Sequence, residues 1–177
     1  MKAALALSLG LCGVAGAKVP AAKEPAPTIT YYYGRVTYRS PVGDKVMGMS
    51  TLLLERSVRS RSIEEREVAS KQRGGETPIE HVVTLARTGT TATYEVSDSA
   101  KIFSGTVVFD NPGSWTYRMK LANGTQLGGT GTLRADGLHT RKVLADAGGT
   151  ATMLVHEDLR VVQQPEYEAL RTKLVPR

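Results

Sequence analysis

Residues 103–133 read FSGTVVFDNPGSWTYRMKLANGTQLGGTGTL. In the middle of this stretch, from residue 115 to residue 121 (WTYRMKL), large apolar side chains alternate with threonine, arginine and lysine. Successive side chains of a β-strand point to opposite faces, so this alternation predicts a strand with one apolar and one polar face. The Pro112-Gly113 and Asn123-Gly124 pairs on either side predict turns, and hence two successive β-hairpins.

The register of the second hairpin follows from the requirement that large apolar side chains share one face. A two-residue loop at Asn123-Gly124 would put Leu127 on the polar face. A three-residue loop over 122–124 keeps Leu127 on the apolar face and gives Gly124 the left-handed conformation that glycine tolerates. The predicted cross-strand pairs are Met119 with Leu127, Tyr117 with Gly129 and Trp115 with Gly131. Glycines opposite the two aromatic residues leave room for their rings.

The same requirement predicts a five-residue loop from Asp110 to Ser114 in the first hairpin, with Pro112-Gly113 at the centre of a type II turn. The predicted pairs are Phe109 with Trp115, Val107 with Tyr117 and Phe103 with Leu121. The apolar stripe of the two hairpins forms the predicted core: Phe103, Val107, Phe109, Trp115, Tyr117, Met119, Leu127 and Leu133.

The rest of the chain from residue 28 also has the pattern of short β-strands. Short runs rich in β-forming residues, separated by turn residues, predict ten strands. The predicted strands are 28–39, 49–58, 61–70, 79–86, 91–96, 101–109, 115–121, 126–133, 138–145 and 150–157. Short turns, among them Arg73-Gly74-Gly75, imply an all-β antiparallel up-and-down meander. Closure into a barrel is expected because it removes exposed sheet edges.

A short helix is predicted after the last strand. Pro165 suits a first helical turn, and Glu166 and Glu168 complement the positive end of the helix dipole. Tyr167, Leu170 and Leu174 then fall on one side. This amphipathic pattern predicts a helix packed on the barrel.

The first residues have the layout of a signal peptide. Lys2 is followed by an apolar stretch from Ala3 to Leu11, and Ala15-Gly16-Ala17 supplies small residues at a cleavage site. Residues 1–17 are therefore predicted to be removed together with Cys12, the only cysteine of the 177-residue chain. Lipidation of Cys12 is the alternative, disfavoured because bulky Leu11 precedes it. Residues 18–27 are rich in proline and alanine and are predicted to be a flexible linker before a single domain at 28–177.

We therefore expect an exported, periplasmic or secreted protein. No segment is long enough to predict a membrane-spanning helix. The formal net charge is +6 at pH 7, but basic and acidic residues are interleaved between Glu55 and Glu76. Such a pattern is typical of a solvated face, and nucleic-acid binding is not predicted.

The predicted architecture resembles the lipocalin-like β-barrels in its export, its meander of about ten strands, its closing helix and its Gly113-Ser114-Trp115 tripeptide. In lipocalins the Gly-x-Trp lies near the first strand, whereas here it lies two-thirds of the way along the chain. The resemblance is therefore one of architecture, over about residues 28–174. It implies a barrel that holds a small apolar ligand.

The sequence contains no pattern that predicts catalysis, a metal site or a cofactor. His81, His139 and His156 lie on different predicted strands without metal-site spacing, and each is interpreted as a surface or half-buried histidine. A haem site would need one of them to face inward, and His156 is the one whose orientation is least defined. Glu65 and Glu67 share a face, but nearby arginines favour solvated ion pairs over an acid–base pair. The chain is predicted not to be an enzyme.

Two functions remain open. The first is binding of a small apolar ligand inside the barrel, with these predicted ligand-binding residues: Phe103, Trp115, Tyr117, Met119, Leu127 and Leu133. A fully packed core would exclude it. The second is a structural or protein-interaction role in the cell envelope, with the charge-rich strands of residues 55–76 as a docking surface. The run Tyr31-Tyr32-Tyr33 is interpreted as part of the first strand, with Tyr32 facing opposite to its neighbours, rather than as an aromatic binding patch.

Overall fold

The computed structural model describes residues 25–70 and 78–175. Within them, ten antiparallel strands close into a barrel in which each strand pairs with its neighbours in sequence and β1 pairs with β10. The strands are β1 Thr28–Arg39, β2 Val46–Val58, β3 Ser62–Ala69, β4 Ile79–Arg87, β5 Thr93–Asp98, β6 Phe103–Asn111, β7 Ser114–Leu121, β8 Gln126–Arg134, β9 Gly137–Ala145 and β10 Ala151–Val162; the helix α1 is Gln164–Leu174.

The all-β fold class is confirmed, as is the closed up-and-down barrel with its C-terminal helix. Each predicted strand has a counterpart in the barrel. The largest differences in extent are at β2, which begins at Val46 rather than at residue 49, and at β10, which continues to Val162 rather than ending at residue 157. The predicted signal peptide, most of the linker and the Arg73-Gly74-Gly75 turn lie outside the described residues.

The predicted register of the β7–β8 hairpin is confirmed. Met119 pairs with Leu127, and Trp115 pairs with Gly131. Leu121 N–H donates to the Thr125 carbonyl oxygen at 2.8 Å, which closes the three-residue loop. Gly124 has φ 89°, in the left-handed region that favours glycine.

The β6–β7 hairpin differs from prediction in its turn. Its strand pairs are as predicted, including Phe109 with Trp115, but Asn111 pairs with Ser114 and the register shifts between Phe109 and Asn111. The φ of Gly113 is not positive, so the predicted type II turn is wrong. A bulge takes up the additional residue, and the Asn111 side chain accepts a hydrogen bond from Gly113 N–H at 2.9 Å.

The main core lies inside the barrel. All eight residues of the predicted apolar stripe belong to it or pack against it. Trp115 is 2% exposed and lies across Gly131, where a Cβ atom would come within 2.2 Å of the indole Cε2. Glycine at this position is therefore required by the close approach of the ring.

A second, smaller core lies outside the barrel, under α1. Tyr167 of the helix is buried there with Leu53, Val68 and Val162. Tyr31 packs against the same cluster, with its ring centroid 4.7 Å from that of Tyr167. The apolar side of the helix therefore packs on the barrel, as predicted.

The tyrosine run divides between the two cores. Tyr32 faces the barrel interior and is 5% exposed, whereas Tyr31 and Tyr33 pack against the outer cluster. The interpretation of this run as part of a strand is confirmed. None of the helices in the described part of the chain is long and apolar enough to cross a membrane.

Candidate ligand-binding cavity

An internal cavity of about 180 Å³ lies in the barrel. Every strand except β1 contributes to its wall. Its apolar part is formed by these residues: Leu52, Leu54, Val83, Leu85, Val96, Phe103, Val107, Trp115, Tyr117, Met119, Leu127 and Leu138. The barrel is therefore not completely filled by its own side chains, which is a condition for holding a ligand.

Five of the six predicted ligand-binding residues line this cavity: Phe103, Trp115, Tyr117, Met119 and Leu127. Leu133 does not line it and instead packs against the main core. The strand register explains the grouping, because Phe103, Trp115, Tyr117, Met119 and Leu127 lie on paired strands with the same face inward.

Trp115 and Tyr117 of the wall belong to a connected group of rings that also includes Phe109 and Tyr94 of the main core. The centroid of Trp115 lies 5.4 Å from that of Phe109 and 6.3 Å from that of Tyr117, the latter pair in an edge arrangement. Tyr94 contacts Phe109 from the next strand at 5.0 Å. Such offset contacts hold the rings in fixed orientations, so this side of the cavity is preformed.

The remaining part of the wall is charged, which the sequence interpretation did not anticipate. Arg56, Glu65, Glu67, Lys142 and Glu157 all line the cavity. The prediction of a solvated face over residues 55–76 is wrong for the first three, which point into the barrel. It holds for the outward residues of the same strands, where Arg66 pairs with Glu64 at 3.1 Å on the surface.

Their inward orientation follows from strand alternation. Arg56 lies two residues after Leu54 on β2, and Glu65 lies two residues after Ile63 on β3, so the charged side chains share a face with buried apolar residues. The sequence does not show this inward orientation clearly, because β2 is buried on both faces. Leu53 packs under the helix, and Leu52 and Leu54 lie inside the barrel. A continuous apolar run does not reveal which face is inside.

Lys142 and Glu157 form a satisfied ion pair. Lys142 Nζ lies 2.7 Å from Glu157 Oε1, and the Thr140 hydroxyl donates to Glu157 Oε2 at 2.6 Å. Burial disfavours the ammonium form, but the Glu157 carboxylate and neighbouring groups outweigh burial, so the pKa of Lys142 is raised. Lys142 Nζ also lies 5.1 Å from the Tyr117 ring centroid, and burial raises the pKa of the Tyr117 hydroxyl.

Arg56 and Glu65 form a looser pair. Arg56 Nη1 lies 3.4 Å from Glu65 Oε1, but this contact does not have hydrogen-bond geometry: Nη1 is buried with no hydrogen-bond partner among the described residues. The guanidinium carbon lies 4.7 Å from the centroid of the Trp115 ring, as in a cation–π contact. Burial raises the pKa of the Glu65 carboxyl, even though Arg56 acts in the opposite direction.

His81 lies between two carboxylates. Its Nε2 is 2.9 Å from Glu67 Oε2, and its Nδ1 is 3.0 Å from Asp98 Oδ1. The hydrogen bond to Glu67 is the main reason that the pKa of His81 is raised, although burial opposes protonation. Asp98, whose side chain is fully buried, also accepts hydrogen bonds from the backbone N–H groups of Ala100 and Ile102.

The three histidines thus differ in their surroundings. His81 faces inward and is buried, 9% exposed, so its interpretation as a surface or half-buried histidine is wrong. His156 lies between Val155 of the main core and cavity-lining Glu157, so it points out of the barrel. His139 contacts Asp136 and Asp158 on the outside. Across residues 25–70 and 78–175, no group of three or more His, Cys, Asp or Glu side chains is arranged to hold a metal ion.

No protein-family model and no curated protein matches the chain. Among solved structures, it is similar to an N-terminal dehydratase from the difficidin assembly line, at 6% identity and a TM-score of 0.33 over 84% of this chain and 83% of that one. It is also similar to a variant of the PpsC dehydratase domain from Mycobacterium tuberculosis, at 11% identity and a TM-score of 0.22 over 81% and 78% of the two chains. At these TM-scores the likenesses carry no conclusion about fold or activity.

Proposed function

We propose that this chain is an exported binding module whose β-barrel holds a small molecule in its internal cavity. The observation that carries the proposal is the cavity itself, about 180 Å³ in volume and lined by side chains from nine strands. An apolar protein cavity of about 150 Å³ is large enough to bind benzene. The cavity volume therefore favours an occupant of about one ring with a short substituent.

The composition of the wall refines the ligand class that the sequence suggested. Phe103, Met119 and Leu127 form an apolar surface suited to the body of a ligand. Arg56 belongs to the same wall, so a wholly apolar ligand would leave its buried Nη1 atom without a hydrogen-bond acceptor. An amphipathic small molecule is a better match than a purely apolar one. The proposal includes export of the protein, which rests on the signal-peptide pattern of residues 1–17.

Trp115 provides a direct test because it lines the cavity and is the only tryptophan in the chain. Benzoate and benzyl alcohol, which share one ring, are each titrated into the mature protein while tryptophan emission is recorded. We expect a saturable change with at least one of them. Val96→Phe, which places a ring in the cavity, should abolish the change for both probes.

Val143→Phe is the matched control, since the same substitution is made at an outward-facing position that is 38% exposed. It should leave the titrations unchanged. If Val96→Phe does not fold, as judged by circular dichroism, Leu127→Phe fills the cavity from another strand. Emission that neither probe alters in the wild-type protein, or unimpaired binding by a folded cavity-filled variant, would refute the proposal.

A further inference from the structure

The described cavity wall contains a buried cation with one nitrogen that has no hydrogen-bond partner. Arg56 is 4% exposed and lines the cavity, and its Nη1 atom has no hydrogen-bond partner in the described part of the chain. A guanidinium carries five N–H donors and cannot lose its charge in a protein. A buried donor left unpaired is costly, so Arg56 favours an acceptor that enters the cavity.

The charged groups at the cavity other than Arg56 and Glu65 have closer partners. Lys142 contacts Glu157 at 2.7 Å, and Glu67 contacts His81 at 2.9 Å. Among the charged lining residues described, Arg56 has only Glu65, at 3.4 Å and without hydrogen-bond geometry. Of the ion pairs in the wall, the Arg56–Glu65 pair is therefore the one that an incoming charged group replaces at the lowest free-energy cost.

Glu65 is a weak counter-ion for Arg56. Its side chain lies among other carboxylates, since Glu67 and Glu157 both act on it, and burial raises its pKa. When Glu65 is protonated, the charge on Arg56 is no longer compensated, and the protonated carboxyl gains a hydrogen-bond donor. A carboxylate placed beside both groups could accept from the guanidinium and from the protonated Glu65, which are the charge-assisted bonds that bind carboxylates most strongly.

We propose that the ligand of this barrel is a small monocarboxylic acid, with its carboxylate on Arg56 beside Glu65 and its apolar body against the aromatic wall. The inference rests on the proposed function and specifies its ligand class. Trp115 is in contact with the guanidinium, and Tyr117 and Met119 follow along the same face of β7. An acid with a body of about one ring would thus contact the aromatic residues while its carboxylate reaches Arg56.

Three probes with the same ring separate this inference from the alternatives. Benzoate is anionic, benzyl alcohol is neutral and benzylammonium is cationic. Binding of each to the mature protein is measured at pH 7 by calorimetry and by Trp115 emission. We expect benzoate to bind at least about tenfold more tightly than benzyl alcohol, as a hydrogen-bonded charged contact provides. Benzylammonium should bind more weakly than benzoate, because the Arg56 guanidinium repels a cation and offers it no acceptor.

Two substitutions assign the selectivity to residues. Arg56→Met keeps the length of the side chain and removes its charge, so it should weaken benzoate binding at least about tenfold and leave benzyl alcohol within about twofold. Glu65→Gln keeps the shape of the Glu65 side chain and removes its charge. This variant should bind benzoate at least as tightly as the wild-type protein does. Arg56→Lys should recover part of the benzoate affinity.

The outcomes distinguish the two proposals. Failure of all three probes to bind would refute the proposed function and this inference with it. Binding of benzyl alcohol or benzylammonium at least as tight as that of benzoate would support a small-molecule module and overturn the acid assignment. Unchanged benzoate binding in Arg56→Met would also overturn it. If Arg56→Met does not fold, the selectivity among the three probes and the Glu65→Gln result still decide.

Discussion

Replacement of Gly131 by alanine is expected to destabilise the barrel by about 1–3 kcal/mol, the range seen when a well-packed core is overfilled. The added Cβ would lie 2.2 Å from Trp115 Cε2 and 2.4 Å from its Nε1. The indole cannot move aside easily, because Phe109, Tyr117 and Arg56 contact it. The free energy of unfolding in urea measures the effect.

Gly128→Ala is the matched control for this substitution. Gly128 is on the same strand, but a Cβ there meets only the Tyr117 carbonyl oxygen, at 4.0 Å. Its unfolding free energy should stay within about 0.5 kcal/mol of wild type. Equal stabilities of the two alanine variants would show that Trp115 does not lie across Gly131, and the described shape of the cavity wall would then be wrong.

Replacement of Asp98 by alanine is expected to have a larger effect, about 3–5 kcal/mol, because it removes one member of a buried charged contact and leaves backbone N–H groups unpaired. The carboxylate is fully buried, lies 3.0 Å from His81 Nδ1, and accepts hydrogen bonds from the N–H groups of Ala100 and Ile102. Its removal leaves the two backbone N–H groups without this acceptor, and the Nδ1–H of the charged imidazole as well. Equilibrium unfolding at pH 5.5 and at pH 9 measures the loss.

The loss should be greater at pH 5.5 than at pH 9. The folded-state pKa of His81 is raised, so the stability that its charged form contributes is fully present below the unfolded-state pKa of about 6.5. It is lost as pH rises through the folded-state value. At pH 9 the substitution therefore removes a contact to a neutral ring and two backbone hydrogen bonds, whereas at pH 5.5 it also removes a charged contact.

Asp146→Ala is the control for the backbone hydrogen bonds. Asp146 accepts from the N–H groups of Gly148 and Thr150, each at 2.9 Å, in an exposed turn. Its replacement should cost about 1 kcal/mol, the net contribution of a typical hydrogen bond. A loss at Asp98 no larger than that at Asp146, or equal at the two pH values, would contradict the ionic role assigned to the His81–Asp98 contact.

The strand order and hairpin register could be predicted from sequence because one face is apolar and the other polar over much of the chain. Between residues 103 and 133, alternation with period two and the glycines opposite Trp115 and Tyr117 leave one register that puts all large groups on one face. The type II turn was predicted wrongly at Pro112-Gly113, because a bulge at the end of β6 shortens the loop. Sequence patterns do not encode such a bulge.

The aromatic side of the cavity could be predicted for the same reason, but the charged side could not. Interleaved charges on exposed strands and on inward-facing strands look alike in sequence, and the usual expectation is solvent exposure. Glu65 and Glu67 are inside because Arg56 and His81 on the two neighbouring strands, together with Lys142 on β9, supply compensating charge. Closure of the barrel brings these groups together, and no local pattern contains that information.

A crystal structure of the mature protein soaked with benzoate tests the central claim most directly. The account predicts electron density for one benzoate in the barrel, with its ring against Trp115 and Tyr117 and its carboxylate within hydrogen-bond distance of Arg56 Nη1. Density for benzoate only on the outer surface, or a cavity that holds only water at saturating benzoate, would contradict the claim that the barrel binds a small acid.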